Sequence, residues 1–329
     1  MNSAWSALLA CAALAAPLEE AGAQDGWQAW LDEQAASFSG VVLIARGDAV
    51  QVVAAYGFSD RAAQRRNTPE TRFNLGSINK TFTAVALAKL REQGRLSLDD
   101  VLAKHAPDYP DPKAAAKITL RQLLTHRAGV ARFMGADFGD AVSVAEMTRR
   151  VGAQPLEFEP GERQQYSNGG YVVLGRVVEL VSGRSYDSVV AEHVYKPAGM
   201  TSSGFAKAGE TDPAFALGYD SNDAPRAPRP GNPAGGGYAT AADLFRFARA
   251  LRAGRLLDEP LDVGFALREE MAGQRRFLGN GGGAPGVNAE FRYEPLGDAT
   301  VVVLANGSPP SATRLLNAIL ARLASTTPE

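Results

Sequence analysis

The sequence predicts an α+β protein, within the broad α/β class, in which both ends of the chain share one antiparallel sheet. Apolar, β-branched runs occur near the start, at 41–45 and 50–56, and again near the end, at 287–293 and 299–306. Helical spacing of apolar residues fills most of the chain between them. We therefore expect a sheet flanked by terminal helices, with a large helical subdomain inserted between its two halves.

The N-terminal part predicts a helix followed by a hairpin. One face of the first helix carries four large apolar residues, Trp27, Trp30, Leu31 and Phe38. The two β-rich runs that follow are separated by Arg46-Gly47-Asp48, a sequence typical of a tight turn. These segments predict one covering helix and the first two strands of the sheet.

The stretch from Phe73 to about Gln93 predicts a buried helix, on which the rest of the chain is organised. Four apolar residues recur at helical spacing, Phe82, Val85, Ala86 and Leu90. Gly94 stands where a left-handed C-terminal cap is expected, and no proline interrupts the stretch.

The remaining elements follow in order. From 97 to about 257 the pattern is mostly helical, with proline and glycine marking turns. We expect helices at 119–125, 171–181 and 244–251, a turn at 158–161 and a loop at 224–233. Residues 294–298 then join the last two strands, and a final helix presents Leu316, Ile319, Leu320 and Leu323 on one face.

The N-terminus resembles a secretory signal peptide over residues 1–23. A short apolar run from Leu8 to Ala16 precedes Ala21-Gly22-Ala23, a small-residue site of the kind that is cleaved. An N-terminal helix that stays attached is the alternative, because no Lys or Arg precedes the apolar run. A signal peptide predicts a periplasmic or secreted protein.

Residues 24–329 are expected to form one domain with two subdomains. The change from strand to helix patterns places 24–65 and 260–329 in a sheet subdomain and 66–259 in a helical subdomain. A cleft at the junction of two such parts is a common location for a binding site.

Composition and charge exclude several kinds of protein. Of the 329 residues 45% are hydrophobic and 21% are charged, as in ordinary globular proteins. A net charge of −2 gives no electrostatic attraction to nucleic acid or to an anionic membrane, and no later segment is long enough to span a bilayer. The single cysteine, Cys11, and the scattered histidines show no metal-ligand spacing, so neither a metal nor a cofactor is expected.

Ser77 and Lys80 form the candidate nucleophile pair. They lie three residues apart at the start of the buried helix, so their side chains share one helix face. A serine hydroxyl needs a neighbouring base to take its proton. An ammonium in an apolar helix start has a lowered pKa, and the neutral amine can be that base. Taken alone the pattern is weak, since a serine at a helix start is more often an N-cap.

Two later segments complete a recognisable arrangement. Tyr166-Ser167-Asn168 lies at a turn, and Asn280-Gly281-Gly282-Gly283 enters a late strand. With Ser77-Ile78-Asn79-Lys80 these segments resemble, in order, the three motifs of the serine β-lactamase and penicillin-binding protein superfamily. The Tyr-x-Asn form is similar to the class C β-lactamase branch, which also holds D-stereospecific peptidases and carboxylesterases. Further segments that look like landmarks of this family are 123–126, 158–161, 195–200 and 235–240.

The resemblance runs from about Gly40 to the end of the chain, and it implies a β-lactamase/transpeptidase-like fold and roles for the motif residues. Ser77 would form the acyl-enzyme, and Lys80 would act as base or lower the pKa of its neighbours. Tyr166 would be the partner phenol, which needs the Lys80 charge nearby because its ordinary pKa is about 10. Asn168 would donate to a substrate carbonyl and accept from Lys80. For Tyr166 the structural alternative is a core aromatic residue.

The resemblance also implies an oxyanion hole. The backbone N–H groups of Ser77 and Gly283 would form it, and Gly281 and Gly282 would let a substrate backbone approach the strand closely. A simple β-bulge is the alternative for these glycines.

Asn280 departs from the family pattern. The third motif begins with Lys or His in this family, and class C β-lactamases use that cation to hold the carboxylate of the drug. An asparagine amide can form hydrogen bonds but carries no charge. We therefore expect a preference for neutral esters or amides over penicillins.

His126 is interpreted as a structural histidine that anchors a loop. A Ser-His-Asp arrangement would need a nucleophile elbow, Gly-x-Ser-x-Gly, and the sequence contains none.

Three functional hypotheses follow. The first is a serine hydrolase that acts through an acyl-enzyme on small esters, D-amino acid amides or peptides, or related acyl substrates. The second is a β-lactamase. The third is a non-catalytic penicillin-binding or sensing relative, in which Asn280 marks loss of function. The expected partner is a small-molecule or peptide substrate, and the sequence leaves the oligomeric state open.

Overall fold

The computed structural model describes residues 26–133, 143–262 and 264–325. The signal segment predicted at 1–23 lies outside the described residues. None of the described helices is both long and apolar enough to cross a membrane.

Six of the described strands form one antiparallel sheet, in the order β2-β1-β12-β11-β10-β9. The strands of the described chain are β1 (Gly40–Arg46), β2 (Ala49–Tyr56), β3 (Phe58–Asp60), β4 (Arg65–Arg66), β5 (Phe73–Asn74), β6 (Gly218–Tyr219), β7 (Pro225–Arg226), β8 (Tyr238–Ala239), β9 (Arg268–Ala272), β10 (Arg275–Ala284), β11 (Val287–Tyr293) and β12 (Ala299–Ala305). The short strands pair separately, β3 with β4, β5 with β8 and β6 with β7.

The prediction that both chain ends share one antiparallel sheet is confirmed. Strand β1 lies between β2 and β12, with Val42 opposite Val303 in the β1–β12 register. The four predicted strands correspond to β1, β2, β11 and β12. Of the other two strands, β9 was not predicted, and β10 was predicted only at residues 280–283, because alternating apolar residues are sparse where charges and four successive small residues dominate.

Helices occupy much of the rest of the described chain, with loops between them. They are α1 (Trp27–Gln34), α2 (Asn79–Glu92), α3 (Leu102–His105), α4 (Pro112–Ala115), α5 (Leu120–Leu124), α6 (Val144–Gly152), α7 (Asn168–Ser182), α8 (Tyr186–Val190), α9 (Lys196–Ala198), α10 (Ala241–Arg252) and α11 (Ser311–Ser325), with a π-helical turn at Ala191–Tyr195. The mixed α+β class predicted from the sequence is confirmed.

The terminal helices cover one face of the sheet. Leu31 of α1 and Ile319 of α11 pack with the sheet residues Val42 and Val303 in one apolar cluster. Burial of such side chains contributes about 1.5–3 kcal/mol each to folding. Phe38 lies beyond the end of α1 but is buried in the same cluster. The terminal helices therefore take the predicted position.

The opposite face of the sheet packs against the helical part, with α2 at its centre. Helix α2 is buried from Asn79 to Ala88, so it is enclosed on all sides instead of lying at the surface with one apolar stripe. Gly94 follows the end of α2, and its φ of 68° is the left-handed conformation expected of a C-terminal cap. An enclosed helix holds its first residues in fixed positions, which matters for the side chains described next.

Candidate active site

Ser77 and Lys80 stand side by side at the start of α2. Ser77 lies in the 3₁₀ turn Gly76–Ile78, and Lys80 is the second residue of the helix. Lys80 Nζ lies 3.2 Å from Ser77 Oγ, within hydrogen-bonding distance. The predicted stacking of the two side chains on one helix face is therefore present in the structure.

The environment of Lys80 lowers its pKa. The residue is 2% exposed, and no carboxylate among the described residues pairs with it. Burial moves the pKa well below its ordinary value, and the charge of Arg268 lowers it further. Its Nζ also donates to Asn168 Oδ1 at 2.8 Å and to the carbonyl oxygen of Ala234, while Ser77 Oγ is its third neighbour.

These contacts suit the neutral amine. A neutral amine has two N–H groups and one lone pair. The oxygens of Asn168 and Ala234 can only accept, so they take the two N–H groups. The lone pair is then left for the Ser77 hydroxyl, which is the orientation that a general base requires.

Tyr166 provides the third side chain of the site. Its hydroxyl lies 2.6 Å from Ser77 Oγ, and its ring lies 4.9 Å from Lys80 Nζ. Tyr166 is 37% exposed, and the partial burial of its hydroxyl raises the pKa of the phenol, while the hydrogen bond with Ser77 and the charge of Arg268 lower it. With its pKa raised, Tyr166 rests in the protonated form and holds a proton that it can donate.

Asn168 orients Lys80 from the first turn of α7. The Ser167 hydroxyl caps this helix by accepting from the backbone N–H of Gly170. Asn168 Oδ1 accepts from Lys80, as the sequence predicts, while its Nδ2 donates to the carbonyl of Phe133 at 2.7 Å. The amide is thus held from both ends. Donation by Asn168 to a substrate carbonyl stays a prediction.

The glycines of strand β10 pack closely against the turn that carries Ser77. A Cβ at Gly282 would lie 2.0 Å from the Leu75 carbonyl oxygen and 2.6 Å from Ser77 N. A Cβ at Gly76 would lie 3.1 Å from Gly283 N. Only glycine permits this approach. Because β10 and the turn are this close, the backbone N–H groups proposed for the oxyanion hole, those of Ser77 and Gly283, lie on neighbouring segments.

Asn280 lies behind the nucleophile, buried against the start of α2. Its side chain is 4% exposed. Nδ2 donates to the Ser77 carbonyl at 3.3 Å and to Thr81 Oγ1 at 3.1 Å, and Oδ1 accepts from Gly281 N at 2.9 Å. Every one of these contacts is within the chain, so Asn280 braces β10 against the start of α2. Contact between Asn280 and a substrate stays a prediction.

His126 supports the loop that carries Tyr166. Its Nδ1 accepts from the backbone N–H of Ser167 at 3.2 Å, and its ring lies 4.7 Å from the Tyr166 ring. Burial lowers the pKa of His126 to about 4, with Lys80 and Arg268 adding to the effect. The imidazole is neutral at pH 7, as its acceptor role requires, and among the described residues no hydrogen bond joins it to Ser77.

Sequence reasoning missed two features of the site. One is Ala234, whose carbonyl oxygen accepts from Lys80. The turn that carries it is fixed to α2, because Asn79 donates to the Asn232 carbonyl and Thr83 to the Pro233 carbonyl. A main-chain acceptor leaves no side-chain signature in a sequence. The other is Arg268, which no motif includes but whose charge acts on Lys80, Tyr166 and His126.

Comparison with known proteins gives one consistent result. The family model described as Beta-lactamase matches residues 27–326. PbpX of Bacillus subtilis strain 168, a protein named for the penicillin-binding class, is 31% identical over 228 residues, which are 68% of this chain and 57% of PbpX. Protein flp of Staphylococcus aureus strain MW2 is 30% identical over 54% of this chain and 37% of its own length. The aligned part thus spans about half or less of these relatives.

Solved structures show the same fold. The penicillin-binding protein from Bacillus halodurans superposes with a TM-score of 0.78 at 27% identity, covering 90% of this chain and 99% of that one. The D-amino acid amidase from Ochrobactrum anthropi SV3 gives a TM-score of 0.76 at 23% identity, covering 90% and 98%. A class C β-lactamase gives 0.73 at 19%, covering 92% and 95%. The amidase and the class C β-lactamase are less than 25% identical to this chain, so their similarity shows the fold alone.

Proposed function

The chain belongs to the beta-lactamase family, and from that premise we propose that it is a serine hydrolase that forms an acyl-enzyme on Ser77. The observation that carries the proposal is the position of Ser77 Oγ, 2.6 Å from the Tyr166 hydroxyl and 3.2 Å from a buried lysine whose pKa is lowered. A nucleophile, a base and a proton donor are thus within hydrogen-bonding distance before substrate binds.

Acylation uses these groups in sequence. Ser77 Oγ forms a bond to the acyl carbon of the substrate while its proton passes to the neutral amine of Lys80. The carbonyl oxygen becomes an oxyanion and is stabilised by the N–H groups of Ser77 and Gly283. As the bond to the leaving group breaks, Tyr166 gives it a proton, and the Lys80 ammonium returns one to Tyr166. The products are the acyl-enzyme, the protonated leaving group and a neutral amine.

Deacylation reverses the roles with water. A water molecule takes the place of the leaving group, and its proton passes to the Tyr166 and Lys80 pair as it attacks the ester carbon. The bond to Ser77 Oγ breaks, and the serine regains its proton. The same two side chains therefore serve both half-reactions.

Small esters and D-amino acid amides or peptides are the substrates that we propose. The fold is shared with a D-amino acid amidase and with penicillin-binding proteins. The non-catalytic alternative is disfavoured, because a decayed site has no reason to keep Lys80 buried without an acidic partner and oriented by two carbonyl oxygens.

A substrate panel tests this proposal. We expect p-nitrophenyl esters, D-amino acid p-nitroanilides or nitrocefin to be turned over by the wild type, with the activity lost in Ser77→Ala. Folding of the variant is checked by circular dichroism. Failure of the folded wild type to hydrolyse any member of the panel would speak for the non-catalytic alternative, and preferential hydrolysis of nitrocefin for the β-lactamase alternative.

A further inference from the structure

Asn288 is a buried polar side chain that joins β11, β10 and the start of α11. It is 2% exposed. Its Oδ1 accepts from the backbone N–H groups of Ala312 at 2.8 Å and Thr313 at 3.2 Å. Its Nδ2 donates to the carbonyl oxygen of Gly282 at 3.3 Å. Because both ends of the amide are used, its orientation is fixed by these contacts.

The carbonyl that Asn288 contacts belongs to the peptide group whose N–H is proposed for the oxyanion hole. Gly282 and Gly283 are joined by one planar trans peptide, in which the C=O and the N–H point in opposite directions. Asn288 lies on β11 and holds the C=O from that side, so the Gly283 N–H points away from β11. On that other side β9 pairs with β10 only as far as Gly279, so within the described structure no strand covers Gly283 there.

The strand itself offers no side chain to hold this peptide. Residues 281–283 are glycines, which have the greatest backbone freedom. A Cβ at Gly282 would lie 2.0 Å from the Leu75 carbonyl oxygen, and a Cβ at Gly283 would lie 2.8 Å from Pro309 Cγ. Side chains are therefore excluded on both faces. A side-chain contact to the peptide has to come from a neighbouring strand, and Asn288 supplies it.

The start of α11 strengthens the donation by Asn288. The first N–H groups of a helix carry partial positive charge, and two of them bind Asn288 Oδ1. They polarise the amide, which makes its Nδ2 a better donor to the Gly282 carbonyl. That hydrogen bond in turn polarises the peptide, so the Gly283 N–H becomes a better donor to an oxyanion. Hydrogen bonds in such a chain reinforce one another.

We propose that Asn288 is a positioning residue of the oxyanion hole. It orients and polarises the Gly282–Gly283 peptide and links it to the start of α11. This inference rests on the proposed acyl-enzyme function. Asn288 acts through the peptide and takes no part in the bond changes at Ser77.

Two esters that differ in one atom test the proposal. They are p-nitrophenyl acetate and its thiono analogue, in which sulfur replaces the carbonyl oxygen. Sulfur is a weak hydrogen-bond acceptor, so the thiono ester gains less from the donors of the oxyanion hole. The measured quantity is the ratio of kcat/KM, oxo over thiono. Removal of the Ser77 proton by Lys80 is common to both esters, so its effect cancels in the ratio.

We expect Asn288→Ala to lower this ratio about tenfold, a part of the 10²–10³-fold that one oxyanion donor contributes. Asn288→Asp separates the two ends of the amide. A carboxylate still accepts from the start of α11 and keeps the cap, but it has no donor for the Gly282 carbonyl. At pH 7 this variant should therefore lower the ratio at least as far as Asn288→Ala, with the native circular dichroism spectrum retained.

Asn67→Asp is the matched control. Asn67 is also buried, at 5% exposed, and its Nδ2 donates to the Tyr56 carbonyl at 2.8 Å. Tyr56 ends β2, which β1, β12 and β11 separate from β10 in the sheet. This variant loses the same kind of hydrogen bond far from the site. Its oxo/thiono ratio should equal that of the wild type.

The outcomes separate the two proposals. A ratio within about twofold of the wild type in a folded Asn288→Asp variant would overturn the role of Asn288 in the oxyanion hole. Loss of folding in both Asn288 variants would overturn it as well, because it would assign Asn288 to the fold. A folded wild type without Ser77-dependent turnover of either ester would overturn the proposed function itself.

Discussion

At the scale of single residues, burial assigns the roles of Lys80 and Tyr166. The full burial of Lys80 and the partial burial of Tyr166 disfavour the charged form of each group, which lowers the pKa of the amine and raises that of the phenol. Lys80 is therefore the base and Tyr166 the proton donor in the resting site. The charge of Arg268 lowers both pKa values, which favours the neutral amine and makes the phenol a better donor.

Lys80 and Tyr166 should behave as one unit in mutant cycles. Both lie within hydrogen-bonding distance of Ser77 Oγ, and both take part in the one proton relay that carries acylation. Lys80→Ala and Tyr166→Phe should each lower kcat by about 10²–10⁴-fold, the range for general acid–base groups. The double variant should be little worse than the poorer single variant, because residues that share one step are strongly non-additive. Steady-state kinetics on the best ester of the panel measures this.

Lys89→Ala is the control for this cycle. Lys89 lies on the same helix but forms an ion pair with Glu92 away from the site. The Lys89→Ala variant should therefore have a kcat near that of the wild type. Multiplicative losses from Lys80→Ala and Tyr166→Phe would mean that the two residues act in separate steps.

At the scale of elements, the site depends on the contact between β10 and the 3₁₀ turn that precedes α2. The turn is held from the other side as well, because Leu75 N donates to Gly237 O at 2.7 Å and Gly236 N donates to Gly76 O. Asn280 adds a side-chain brace between the strand and the helix. Ser77 is therefore fixed between two backbone segments, and its N–H group is held next to Gly283.

Gly282→Ala should damage catalysis more than folding. The added Cβ would lie 2.0 Å from the Leu75 carbonyl oxygen, so β10 and the turn must separate. Moving one oxyanion donor out of place costs about 10²–10³-fold in kcat. We expect a loss of this size in ester hydrolysis, with the native circular dichroism spectrum retained.

Gly204→Ala is the matched control for this substitution. No heavy atom lies within 4 Å of a Cβ at Gly204, and its φ is outside the left-handed region. Its kcat should match that of the wild type. Wild-type activity in a folded Gly282→Ala variant would show that the close approach of β10 is not needed for turnover.

At the scale of the whole molecule, periodicity predicted the parts of the fold that bury regular apolar patterns. Strands β1 and β12 are buried along nearly their whole length, and α2 is enclosed, so both left clear signals. Strand β9 left no clear signal in the sequence, because it is short and lies at the sheet edge with charged side chains on both faces. The sequence therefore predicted four strands of the sheet in full and β10 only at residues 280–283, whereas the sheet of the described chain has six strands.

Part of the site could be predicted from local sequence, and the rest depends on contacts between distant parts of the chain. Ser77 and Lys80 are neighbours through helix geometry, and Tyr166 with Asn168 is recognisable as a motif. The Ala234 carbonyl reaches Lys80, and the charge of Arg268 acts on the site, through tertiary packing alone. The buried position of Asn280 also depends on its contacts with Thr81 and Ser77 across the chain, so its sequence position could not reveal it.

Covalent trapping tests the central claim, that Ser77 is the acylated nucleophile, most directly. The folded protein is treated with a fluorophosphonate, and its intact mass and peptide map are measured. We expect the wild type to gain one phosphonyl group on Ser77, the Ser77→Ala variant to gain none, and Ser97→Ala, which changes an exposed loop serine, to label like the wild type. Labelling of a folded Ser77→Ala variant at the wild-type rate, or an adduct that maps to another residue, would contradict the account.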